Sequence, residues 1–108
     1  YIAWLRSRTP AHPGVTIGPG DDCAALRAPA RELLVTTDML MDGTDFVLSE
    51  VGGRRAGRKA MAVNVSDIAA MAGVPLAAVV AVALPRGAGR SVAEELYVGI
   101  REVADEFG

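Results

Sequence analysis

From residue 69 to residue 84 the chain is almost unbroken Ala, Val, Leu and Met, but Gly73 and Pro75 cut the run in two. A membrane-spanning helix needs roughly 20 uninterrupted apolar residues, so this run does not supply one. The break instead separates a helix that ends at Gly73, a stop made firm by Pro75, from a continuous Ala/Val/Leu strand over residues 76–84. A strand that is apolar at every position is buried on both faces, inside a sheet covered by other elements. With 51% apolar residues among 108, the chain has material for one modest core.

The elements around that break alternate in type. Residues 2–8 suit the end of a short amphipathic helix, which Pro10 and Pro13 stop. A Gly/Pro-rich stretch, Gly18-Pro19-Gly20-Asp21-Asp22, leads into a short apolar run over residues 23–26, and residues 29–32 read as a turn. Residues 33–40 have the β-branched content of a strand, with Leu34, Thr36 and Asp38 on one face and Leu33, Val35 and Thr37 on the other. After a loop over residues 41–51, Met61, Val65, Ile68 and Ala72 form the core-facing stripe of a helix over about residues 54–72, with Asn64, Asp67 and Met71 on a neighbouring face. Ser91-Val92-Ala93-Glu94 reads as a capping box opening a last helix, whose stripe is Val92, Leu96, Ile100, Val103 and Phe107. The class is α/β or α+β, without repeats.

Charge and rare residues exclude several chemistries. Eleven basic residues against 13 acidic leave a net charge of −2, which is not the basic footprint of a nucleic-acid binder. One cysteine, Cys23, and one histidine, His12, exclude an internal disulfide framework and a Cys/His zinc site. Cys23 reads as a small core residue and His12 as a solvated loop residue. Met39 and Met41 read as packing. Reducing cytoplasm is the default compartment, and the absence of an initiator Met at Tyr1, with a helix running straight into Gly108, reads as a piece of a longer protein.

The carboxylates stand in special places. Asp21 and Asp22 follow a glycine, Asp38 ends a strand after two threonines, and Asp67 lies in an otherwise apolar helix after Asn64 and Ser66. Hard cations such as Mg²⁺ take oxygen ligands and share them with substrate phosphates. Each residue also has a plainer reading. Gly-Asp is ordinary turn chemistry, Asp38 can close a strand, and Asp67 is either exposed or paired, because an unpaired buried charge costs several kcal/mol. Two glycine strings are decoys. Gly52-Gly53-Arg54-Arg55-Ala56-Gly57-Arg58-Lys59 approaches a phosphate-binding loop, but Arg58 stands where the lysine belongs and no apolar strand precedes it. Gly18-Pro19-Gly20 starts like a dinucleotide fingerprint, but Cys23 replaces the third glycine. Arg54, Arg55, Arg58 and Lys59 read as a solvated helix start, although basic residues there oppose the helix dipole and favour a facing anion.

Three strings are specific enough to name a resemblance. Gly18-Pro19-Gly20-Asp21-Asp22-Cys23-Ala24, Thr36-Thr37-Asp38-Met39-Leu40 and the stretch from Gly57-Arg58-Lys59-Ala60 through Asn64-Val65-Ser66-Asp67-Ile68-Ala69-Ala70-Met71 resemble the thiamine-monophosphate kinase family. That family belongs to the superfamily of aminoimidazole ribonucleotide synthetase. The resemblance covers nearly the whole chain. It implies a mixed sheet flanked by helices, pairing in a homodimer into a barrel-like core. It also implies transfer of the ATP γ-phosphoryl to thiamine monophosphate, with Mg²⁺ as the cofactor and no nucleic-acid or membrane partner. By motif matching, Asp22, Thr36, Thr37, Asp38 and Asp67 fall on metal-binding positions, and Asp21 is beside them or fixes the loop. Lys59 falls on a position usually basic, with no catalytic role assigned to it, and no residue is assigned as catalytic. Where the family has a substrate-contacting histidine, this chain reads Gly43-Thr44-Asp45-Phe46, which puts Asp45 at the substrate-binding position.

On this reading residues 1–108 are an N-terminal ATP/Mg-binding and dimerisation domain, without the C-terminal domain and the Gly-Gly-Asp string that follows in the family. A site rich in Asp and empty of His suits phosphoryl transfer to a phosphate, whose second pKa of roughly 6 leaves it ionised near neutrality without a general base. The expectation is that Asp22, Asp38 and Asp67 converge. Two rival readings are a related synthetase with a different acceptor, motivated by Asp45, and an inactive structural and dimerisation half.

Overall fold

The computed structural model describes residues 1–20, 22–28 and 33–107. Its elements are α1 (Ile2–Arg8), β1 (Val15–Ile17), β2 (Ala25–Leu26), α2 (Leu48–Ala70) and α3 (Gly89–Phe107). They belong to two compact units, Tyr1–Leu33 with Leu76–Val80, and Leu34–Pro75 with Ala81–Gly108. The architecture is mixed α/β, with helices and one small antiparallel sheet.

In the first unit α1 ends at Thr9, whose N–H and hydroxyl both donate to the Leu5 carbonyl, each at 2.9 Å. The chain then forms a short hairpin with Val15 opposite Leu26 and Ile17 opposite Ala25. Three residues, Val15-Thr16-Ile17, make β1 because two of them and the threonine between are β-branched. The Thr16 hydroxyl reinforces the pair by donating to the Ala25 carbonyl at 3.0 Å. The Gly/Pro-rich string is therefore a hairpin connection. Cys23 lies on it and is exposed, which corrects its reading as a core residue. His12 is exposed as expected, and its Nδ1 accepts from the Gly14 N–H at 3.1 Å. Asp21 and the expected turn at residues 29–32 lie outside the described residues.

The second unit is organised by α2 against α3. The buried apolar residues are Ala56 and Val65 of α2 with Ala93 and Val103 of α3, so the core sits between these helices. Val92, Leu96 and Ile100 of the expected stripe are half-buried and Phe107 is exposed. The helices approach through glycine. A Cβ on Gly57 would stand 2.2 Å from the Leu96 carbonyl oxygen, and one on Gly99 would stand 1.9 Å from the Arg54 carbonyl oxygen. Backbone thus lies on backbone, closer than side chains would permit.

Both helix boundaries differ from the periodicity. Helix α2 starts at Leu48, six residues before the expected Arg54, and is interrupted at Gly52, whose φ of 74° is left-handed. At the restart the Gly53 N–H, an orphan donor, is satisfied by the Glu95 carboxylate of α3 at 3.1 Å. The N–H of Leu48 donates to Asp42 Oδ1 at 2.8 Å. Helix α3 begins at Gly89, so Ser91 lies inside its first turn and not at its cap. Gly89 has a left-handed φ of 72° after the turn closed by the Ala88 N–H on the Pro85 carbonyl, and that starts the helix two residues early.

The end of α2 is a Schellman motif: the Gly73 N–H donates to Ile68 and the Ala72 N–H to Ala69, both at 2.9 Å. The left-handed residue is Ala72, with φ 56°, and glycine arrives one position late. A Cβ in that conformation costs about 1–2 kcal/mol, and Ala72 is exposed. Ala72→Gly is expected to stabilise the protein by roughly 0.5–1 kcal/mol, once the greater chain entropy of glycine is counted. A thermal unfolding midpoint unchanged or lowered would contradict this.

Charges also join the two helices. Glu102 accepts from both Arg54 and Arg58 (3.0 Å for the latter), and Arg58 reaches Glu106 at 3.1 Å. Arg54 and Arg58 do face anions, and the anions are on α3. Hydrogen bonds from Arg54 and then Arg58 hold the Glu102 carboxyl below its ordinary range. A depressed carboxylate pKa gives stability that is present above the unfolded value of about 4.3 and lost as pH falls through the folded value. The melting-temperature gap between the native protein and Glu102→Gln is therefore expected to be largest near neutrality and to close as pH falls below the ordinary carboxylate range. A gap independent of pH would contradict it.

The two expected strands at residues 33–40 and 76–84 are not paired in a sheet; among the described residues the sheet consists of β1 and β2, and the one further bridge joins Asp42 to Phe46. Their apolar side chains face water instead, with Val35 at 89% and Val79 at 90% exposure. Period and composition fit a strand only where another backbone meets it, and no described segment does. The readings of Met39 and Met41 as packing residues are corrected for the same reason, since both are exposed. Ala72, assigned to the buried stripe, is exposed because the helix has already ended.

Candidate functional site

The second unit brings together two of the residues singled out by sequence. Thr36, on the unpaired 33–40 segment, donates from its hydroxyl to Asp67 Oδ2 of α2 at 3.0 Å. Thr36 is half-buried, whereas Thr37, Asp38 and Asp67 are exposed. The exposure of Asp67 decides between its two alternatives. It carries no burial cost, and it is hydrogen-bonded as well. Asn64, one turn earlier, spends its amide on its own helix, donating to the Ala60 carbonyl at 2.9 Å.

The loop after this segment is closed by its own polar groups. The Met41 N–H donates to Asp45 Oδ2 at 2.7 Å, while the Asp45 N–H returns to the Met41 carbonyl at 2.9 Å. The Gly43 N–H donates to the Phe46 carbonyl at 2.7 Å. Lys59, just over two helix turns before Asp67 on α2, donates its ammonium to the Asp45 carbonyl. Asp45 is half-buried with its carboxylate engaged by backbone. Lys59 thus holds a loop, a role that the helix reading left unassigned.

Asp22 is exposed on the hairpin connection of the first unit. Among the described residues no group of three or more His, Cys, Asp or Glu is close enough to hold a metal ion. The donor chemistry of Thr36 and Asp67 nevertheless fits a hard divalent cation: a hydroxyl and a carboxylate, both oxygen, 3.0 Å apart and accessible. This is part of a coordination shell, to be completed by water, by phosphate oxygens or by further protein oxygens. What sequence reasoning missed are Gly53, Gly57 and Gly99, whose task is contact between helices. The spacing of four between Gly53 and Gly57 was the available signal, hidden inside a string that resembled a phosphate loop.

Residues 20–108 match the family described as AIR synthase related protein, N-terminal domain. The chain is 39% identical to the thiamine-monophosphate kinase of Rhodopirellula baltica, an alignment covering 99% of this chain and 36% of that protein. It is 37% identical to the thiamine-monophosphate kinase of Bacillus subtilis over 93% of this chain and 31% of the relative. For the Aquifex aeolicus thiamine-monophosphate kinase the figures are 36% identity, 82% and 28%. The chain thus spans about a third of the length of these curated relatives. No solved structure matches it significantly. Among the described residues no helix is long and apolar enough to cross a membrane.

Proposed function

Because the chain belongs to the AIR synthase related protein family, N-terminal domain, we propose that the complete protein is a Mg²⁺-dependent thiamine-monophosphate kinase. In this reading residues 1–108 form the ATP/Mg-binding and dimerisation domain of a cytoplasmic enzyme. The observation that carries it is the Thr36–Asp67 contact, which joins two of the strings on which the family resemblance rests. The names of the aligned relatives support the same activity.

The reaction needs little covalent help from protein. A phosphate oxygen of thiamine monophosphate attacks the γ-phosphorus of ATP, the bond to the β-phosphate oxygen breaks, and ADP leaves with the electron pair. The acceptor is already ionised near neutrality, so no base is required. Bound Mg²⁺ supplies charge neutralisation for the polyphosphate and fixes its orientation. The chain's part is to present oxygens: Asp67, held by Thr36, from α2; Asp38 and Thr37 from the segment beside it; and Asp22 from the hairpin connection. Gly20, two residues before Asp22, leaves the backbone open to close approach by a phosphate. The exposed apolar segments at residues 33–41 and 74–84 are read as strands that pair in the complete homodimer, and residues 1–108 by themselves as inactive.

The test is ADP release from ATP by the complete protein with thiamine monophosphate as acceptor, with and without Mg²⁺. Turnover that needs both acceptor and metal supports the proposal, and acceptor-independent or chelator-resistant turnover removes it. Engagement of the Asp45 carboxylate by the Met41 N–H favours one second reading, a related ATP-dependent synthetase with a different acceptor. ADP release with another phosphate or carbonyl acceptor, and none with thiamine monophosphate, would select it.

A further inference from the structure

We infer that Asp45 and Lys59 form a latch that positions the Asp38-bearing segment along α2, and that this latch sets the affinity of the proposed cation site. The inference rests on the reading of Asp38 and Asp67 as cation ligands.

The segment from Thr36 to Met41 is tied to α2 at both ends. At one end the Thr36 hydroxyl donates to Asp67. At the other, the Met41 N–H donates to the Asp45 carboxylate, and Asp45 in turn accepts through its carbonyl from Lys59 of α2. Lys59 and Asp67 are eight residues apart on one helix, which is about 12 Å at the α-helical rise. Thr36 and Met41 are five residues apart, and such a stretch spans at most about 17 Å. The segment is therefore long enough to span the stretch of helix between its two ties, running antiparallel to the helix. Asp38 lies between the two ties.

A strap held at one end pivots; held at both, it has a fixed course. The exposed segment has no sheet partner among the described residues to fix it otherwise. Met39 is 84% exposed, and Leu40 beside it is half-buried. The polar ties at Thr36 and Met41 fix the two ends between which the Asp38 carboxylate lies. Asp45 and Lys59 act through the backbone and are positioning residues. The Asp45 carboxylate serves here as an acceptor for one N–H, a task that an amide oxygen performs equally well.

The experiment titrates the complete protein with Mn²⁺ alone, without nucleotide, and follows free Mn²⁺ by electron paramagnetic resonance. Asp45→Ala and Lys59→Met are each expected to weaken binding on the order of tenfold, the lower range for residues that orient metal ligands. Asp45→Asn and Lys59→Arg, which keep the acceptor and the donor, are expected to bind close to the native protein. If Asp45→Ala does not fold, the exposed Lys59 carries the test through Lys59→Met. Native-like Mn²⁺ binding by Lys59→Met and Asp45→Ala, alongside loss in Asp67→Asn, overturns the latch and leaves the cation site standing. Equal loss in Asp45→Asn and Asp45→Ala also overturns it, because the charge itself would then be acting. Native-like binding by Asp67→Asn overturns the cation reading and the latch with it.

Discussion

Replacing Gly99 by alanine is expected to destabilise the complete protein by roughly 3 kcal/mol, the upper end of the usual range for overpacking. Gly57→Ala is expected to do nearly as much. Two effects oppose each other at these positions. Alanine gains about 1 kcal/mol over glycine in a helix interior, so propensity alone predicts stabilisation. The new methyl, however, meets the Arg54 carbonyl oxygen at 1.9 Å from Gly99, or the Leu96 carbonyl oxygen at 2.2 Å from Gly57, where ordinary contact begins near 3.4 Å. Neither obstacle is the free end of a flexible side chain. Relief requires the helices to part, and that exposes Ala56, Ala93 and Val103 and strains the Arg54 and Arg58 pairs with Glu102. Sterics should prevail. Urea titration checks this through the midpoint, and an unchanged or raised midpoint would show that α2 and α3 do not meet through these glycines.

The second large effect concerns Asp67. Asp67→Asn in the complete protein is expected to lower kcat/KM on the order of 100-fold or more, the scale for losing a group that fixes charge on a transferring phosphoryl. Asp38→Asn should act similarly. The loss should shrink as Mg²⁺ is raised, since the variant removes one ligand charge and leaves the rest. Thr36→Val tests a different quantity. It deletes the hydroxyl that donates to Asp67 Oδ2 while leaving the carboxylate, and should cost about tenfold, as orienting partners do. Initial rates over a Mg²⁺ series separate these cases. Full activity of both Asp38→Asn and Asp67→Asn would dismiss the assignment. Because Asp67 is exposed, its substitution by Asn should leave folding unchanged, so lost turnover cannot be blamed on an unfolded chain.

What was legible in the residues depended on the range of the interaction. Local signals read well: α1 ends where Pro10 follows, α2 ends before Gly73, and each long helix buries one residue of its expected apolar stripe, Val65 in α2 and Val103 in α3. Identity of the family was legible because its strings place Asp and Thr at fixed offsets, and residues 20–108 match it. Pairing did not read well. Val15-Thr16-Ile17 was masked by the surrounding Gly and Pro, yet it forms β1, while the longer apolar runs at 33–40 and 76–84 stay unpaired. A strand is a relation between two backbones, and a single segment records only half of it. The Gly52–Lys59 string, dismissed as a phosphate loop on its own residues, has a task that is invisible locally: Gly52 turns the chain with a left-handed φ, and Gly53 and Gly57 admit α3. The expected convergence of Asp22, Asp38 and Asp67 does not appear as a cluster among the described residues; the contact that does form, Thr36–Asp67, and the Asp45–Met41 tie both depend on how a loop closes, which no local string records.

The exposed apolar segments have a calorimetric consequence. Water already covers Val35, Met39, Val74 and Val79 while the helices are folded, so melting α2 and α3 releases no further hydration from them. The positive heat-capacity increment that accompanies exposure of apolar area, about 0.45 cal/K/mol for each Å², is therefore missing for these side chains when the helices melt, and an event that dried them would lower the heat capacity by the same amount per Å². In the proposed homodimer their hydrophobic free energy would be released on association, with a temperature dependence separate from that of the helix pair.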